Sequence, residues 1–96
     1  MQNLDLMDNN ALMELYLTQR RHPVLFSEKW GIRRNEGKDL ANWCANTVAS
    51  RSCEAEMTRE SRGRALEYRL IAEGIYASLP PEVKWRVGQT VQKEEE

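Results

Sequence analysis

The sequence predicts an all-α fold: a small compact bundle of four helices, with a short fifth at residues 24–30, built around a helix over 64–79. Two observations carry this. Ala, Leu, Glu, Arg and Met are abundant, and alternating β-branched clusters are absent. Apolar residues recur at three- and four-residue spacing, with proline and glycine between the recurring stretches. A chain of 96 residues suits one domain, expected over 1–92, with 93–96 as a disordered acidic tail.

Asn9 or Asn10 is placed to cap a first helix, in which Leu12, Leu15 and Tyr16 share a face. That helix should end near His22, because Pro23 pushes the preceding residue out of the α region. VLFSEKW, 24–30, suits a short helix stopped by Gly31. GIRRNEGK, 31–38, is polar, holds two glycines and reads as a loop. Asp39 then caps a helix to about Arg51, with Leu40, Trp43, Cys44, Thr47 and Val48 as its stripe.

A break is expected near 50–57, with Thr58 starting the next helix. Ser61 stands where a capping box wants Glu or Gln. The alternative is one helix from Asp39 to Ser78, weakened only at Gly63. From Arg64 to Leu79 the stripe of Ala65, Tyr68, Ala72, Ile75, Tyr76 and Leu79 is widened by Leu66, Leu70 and Ile71. Such a helix should be buried on more than one side. Pro80-Pro81 stop it. Pro81 then opens a last helix, with Val83, Val87 and Val91 in line and Gly88 as its weak point.

Composition bounds the function. Hydrophobic residues are 41%, charged residues 30%, and the formal net charge is −1, so a generic polyanion binder is not indicated. No run approaches ~18 apolar residues, the length of a membrane span. The acidic N-terminus lacks the basic start of a secretory signal. Cys44 and Cys53 therefore read as reduced, small hydrophobes in a cytoplasmic protein. One histidine, His22, no metal-ligand spacing and no glycine-rich phosphate loop leave little for catalysis, and no cofactor or metal is expected. The expected function is binding: a non-enzymatic regulator or inhibitor, in the style of small bacterial or bacteriophage proteins, occupying a surface of a larger partner.

Charge is uneven. Residues 20–38 carry Arg20, Arg21, Lys29, Arg33, Arg34 and Lys38 against Glu28 and Glu36. Arg20 and Arg21 suit a helix C-terminus. Arg33 and Arg34 lack that role, and with Trp30 and Trp85 they form the expected partner-binding set. Trp43 lies on a helix stripe and reads as core. The alternative is a nucleic-acid-binding regulator using the six basic residues of 20–38. Phe26-Ser27, Gly31-Ile32 and Leu40 resemble the apolar, small and turn positions of the helix-turn-helix motif, over about fifteen residues. Gly37 departs from it, standing where the second helix wants a buried aliphatic and weakening that helix. Arg59, Arg62 and Arg69 are expected to pair with Glu56, Glu60 and Glu67 on a helix surface. The chain buries only ~60–65% of its unfolded surface. A homodimer is therefore expected, with helix 64–79 at or near its interface.

Overall fold

A computed structural model of the chain describes residues 4–87, apart from the Asp5 side chain. Among them there is no strand. After a 3-10 turn, Leu4–Leu6, come α1 (Asn9–Arg21), α2 (Pro23–Trp30), α3 (Arg34–Glu56), α4 (Arg59–Ser78) and α5 (81–87). The expected all-α bundle is present. Val91 and the expected tail 93–96 lie outside the described residues.

Local chemistry sets each boundary. Asp8, one residue before the expected caps, accepts from Ala11 N–H at 2.8 Å and starts α1. His22 closes α1 while Pro23 opens α2, where a missing N–H costs nothing. α3 begins at Arg34 and not at Asp39, so of the expected loop 31–38 only 31–33 is non-helical. The Arg33 N–H donates to Glu36 Oε1 at 2.8 Å, which fixes the first turn of α3 and keeps 34–38 helical. The break after α3 also moves. Helix continues through Arg51 to Glu56, and only Met57 turns left-handed, at φ 57°. Thr58 caps α4 as expected. Ser61 proves a competent substitute for Glu: its hydroxyl accepts from Thr58 N–H at 2.9 Å, while Thr58 Oγ1 accepts from Ser61 N–H.

The centre of the bundle is α3, not the helix over 64–79. α3 packs on α1, α2 and α4. Its Leu40, Trp43 and Cys44 join Leu12, Leu15, Phe26 and Trp30, with Leu4 and Met7 closing one end and Leu79, Val83 and Val87 the other. α4 lies antiparallel along α3 and buries only Ser61, Ala65 and Ala72. Ser50 Oγ donates to the Ala65 carbonyl at 2.8 Å across that seam, and Trp43 meets Tyr76 with ring centroids 5.3 Å apart. Leu66, Leu70 and Ile71 face outward. A sequence stripe this wide shows how much of a helix is apolar, but not that a neighbour covers it. The ion pairs differ as well. Arg64 meets Glu56 at 3.9 Å and Arg69 meets Glu73 at 3.3 Å, both exposed and worth little.

Both cysteines lie on α3, nine residues and thus ~13 Å apart along one axis, too far for a disulfide. Burial pushes the Cys44 thiol up to about 12, against a smaller lowering by a backbone hydrogen bond. Cys44 is therefore a neutral thiol at ordinary pH. Alkylation of the folded protein should modify half-buried Cys53 first and reach Cys44 only after unfolding. Mass spectrometry of timed iodoacetamide reactions checks this. Equal rates at both sites would contradict it.

Candidate nucleic-acid interface

The segment that resembled a helix-turn-helix folds as two helices joined by a tight turn. α2 ends on Gly31, at φ 64° and ψ 41°, a left-handed conformation that favours glycine. Its N–H donates to the Glu28 carbonyl, and the Ile32 N–H donates to the Ser27 carbonyl at 3.0 Å. Three residues after α2 ends, α3 begins. Phe26, Trp30 and Leu40 enter the core, with Ile32 packed against it.

Gly37, the apparent defect, has a packing role. It is buried, and a Cβ there would sit 3.4 Å from the Phe26 ring and from Ser27 Oγ. Phe26 thus fills the space that an aliphatic side chain on α3 would occupy. A single methyl would fit there in ordinary contact, whereas a branched aliphatic would run into the ring.

This packing leaves one face of α3 outward. Arg34, Asn35, Lys38 and Asn42 share that face and are exposed. Arg33, also exposed, sits in the turn just before them. The Asn42 carbonyl accepts from Asn46 Nδ2 at 2.8 Å, an interaction that leaves the Asn42 side-chain amide available. Asp39 leans elsewhere, into a hollow beside Leu70, Ile71 and Ile75 of α4. An arginine, a lysine and two asparagines on one exposed helix face form a donor-rich set for base edges and phosphates.

The other basic residues divide among elements. Arg20 and Arg21 end α1, where Arg20 Nη1 donates to Tyr16 Oη at 2.6 Å. Lys29 on α2 lies over the Trp30 ring at 4.9 Å. Arg33, Arg34 and Lys38 gather at the turn and the start of α3. Of the expected partner-binding set, Trp30 must be corrected. It is buried at 5% exposure, against Phe26 with ring centroids 6.0 Å apart, so it is a core residue and no surface anchor. The helical register that turns Phe26 and Ser27 inward also turns Trp30 inward. Trp85 is 50% exposed on α5, as its position off the valine line implied. α5 is held against the turn: Arg86 Nη1 donates to the Gly31 carbonyl at 2.6 Å, and Lys84 Nζ donates to the Tyr76 carbonyl at 3.1 Å. Between them Ile32, Arg33, Glu36, Glu82, Val83 and Arg86 line a hollow of about 620 Å³.

Asn35 was missed in the sequence because 31–38 read as a loop, and Asn42 because the expected helix from Asp39 was read only for its apolar stripe. The available signal was Glu36 three residues after Arg33, which extends helical spacing back through Asn35, Lys38 and Asn42. Among the described residues no group of three His, Cys, Asp or Glu could hold a metal, and no helix is long and apolar enough to cross a membrane. No protein family matches this chain, and neither the curated proteins nor the solved structures provide a match.

Proposed function

We propose that this protein is a DNA-binding regulator that reads duplex DNA with the outward face of α3. The observation that carries the reading is the exposed set Arg34, Asn35, Lys38 and Asn42 on a helix held by a left-handed glycine turn. An α-helix fits the major groove, where arginine pairs with the guanine edge and asparagine with the adenine edge. Lys38 and Arg33 serve phosphate. The net charge of −1 makes binding depend on this local patch, so non-specific affinity is low and falls steeply with salt. The role involves no reaction, and the chain acts by occupying its site.

Selection from a randomised duplex pool, followed by anisotropy titration of the winner over a salt series, tests the reading. The expected result is an enriched site and a log–log salt slope of roughly −2 or steeper, from the phosphate contacts of Lys38 and Arg33. No enrichment, with no retention on DNA even at ~50 mM salt, would refute it.

A second reading rests on Trp85. A half-exposed tryptophan on α5 suits a protein partner, with Trp85 as anchor and Arg33 and Arg34 steering encounter. Under this reading Trp85→Ala speeds dissociation from a captured partner and costs about 2 kcal/mol or more. Reversing Arg33 and Arg34 to Glu slows association instead. Surface plasmon resonance separates the two rates. Normal binding by Trp85→Ala would remove Trp85 as the anchor.

A further inference from the structure

We propose that the outward face of α4 is a self-association surface that pairs two copies of this chain, their α4 helices antiparallel about a twofold axis at the level of residue 68. The face is apolar without a neighbour at Leu66, 51% exposed, and Leu70, 57%, with Ile71, 52% exposed, turned about 100° further round the helix towards Asp39. Met57 extends it at one end, beside Leu66 in a shallow hollow. Single apolar residues on a surface are ordinary, but Leu66 and Leu70 are neighbours one turn apart with Met57 and Ile71 at their edges, and contiguous exposed apolar surface marks an interaction site.

The chemistry of the row selects its occupant. An antiparallel twofold pairing sets each residue against one equally far on the other side of the axis, and sets like flank against like flank. Leu66 then meets Leu70 of the second copy, and Leu70 meets Leu66. Gly63 and Gly74 are about three turns apart on the same flank, so they also fall opposite one another across the axis. A Cβ at either glycine would meet nothing within 4 Å in the single copy. Their absence of side chains has no purpose within one chain, yet it lets two helices approach closely. Arg62 and Glu73, about three turns apart on the other flank, likewise fall opposite one another and form two symmetric ion pairs. Arg69 lies near the axis on that flank, where its own Glu73 at 3.3 Å screens it from its copy. Glu67, exposed beside the axis on the glycine flank, meets its own copy there, so shape, the leucine contacts and the two Arg62–Glu73 pairs are what fit the row to a second copy of this chain.

One helix seam is smaller than the ~800 Å² per partner of a standard interface, so association in the micromolar range is expected. Sedimentation equilibrium on the full chain, from ~1 to ~300 µM, should show the mass rising from 11.2 kDa towards twice that value and stopping there. Leu70→Glu, at an exposed site, should keep its helicity and remain monomeric. Gly74→Ala should keep or raise the melting temperature at low concentration, since its Cβ enters open space, yet weaken the dimer about tenfold or more. Arg62→Glu and Glu73→Arg should each weaken it about threefold or more, and the two together should recover it. A monomer at every concentration would overturn the proposal, leaving the row to a different partner. So would a dimer indifferent to Leu70→Glu, a charge swap without recovery, or growth beyond two copies. None of these outcomes depends on whether the protein binds DNA.

Discussion

Phe26→Ala is expected to lower Tm by more than ~12 °C, the consequence of a loss of about 3–5 kcal/mol in a domain of this size. Phe26 is 1% exposed, packs against Trp30, and lies where a Cβ on Gly37 would come within 3.4 Å of its ring. Its removal leaves a cavity where α2 meets α3, which glycine cannot fill from the other side. The same cavity loosens the turn that aims α3. Differential scanning calorimetry gives the magnitude. Ile75→Asp is the informative control. The sequence places Ile75 in the widest apolar stripe, but the structure leaves it half-buried at the edge of the core. Its loss should therefore be smaller than that of Phe26→Ala. The reverse order would show that α4 and not α2 anchors the core.

Arg34→Ala should cost about 1–3 kcal/mol in affinity for the selected DNA site, the range for a bidentate pair with guanine. It should also relax the base preference at one position. Lys38→Ala should weaken binding evenly across sequences and reduce the salt slope by about one. Asn42→Ala should relax preference at a second position with the salt slope unchanged. Circular dichroism should stay at the wild-type value for all three, because the side chains are exposed and make no core contact. Titrations against single-base variants of the site separate base readout from phosphate contact. If all three substitutions shift affinity equally at every base, α3 holds DNA without reading it.

The turn at 31–33 was legible because glycine after a short helix has few other uses, and the small-residue position at Ser27 fell at the right distance. The start of α3 was less legible. Gly37 and the charged run around it carry loop composition, and what overrides that composition is one hydrogen bond from Arg33 N–H to Glu36 with the Phe26 ring packed on Gly37. The outward face of α3 was half-read as a result: Arg34 and Lys38 were found from charge alone, Asn35 needed a helix that starts before Asp39, and Asn42 lay on the expected helix but off its apolar stripe. Trp30 failed in the opposite sense, since proximity to a basic segment suggested exposure and helical register imposed burial.

By itself the sequence determined the helical class, the stops at His22, Gly31 and Pro80, the cap at Thr58 and the uneven charge. These follow from backbone sterics, side-chain capping and spacing, all of which act within a few residues. Only the tertiary structure decided which apolar faces are covered. Two helices of similar apolar content, α3 and α4, compete for the centre. α3 takes it because α1 and α2 both fold back onto it, while the close reversal at Met57–Thr58 lets α4 reach only its other flank. Burial is a property of neighbours brought together over long separations in the chain. Periodicity shows which residues are able to face a neighbour, and the packing of the whole chain sets which of them do.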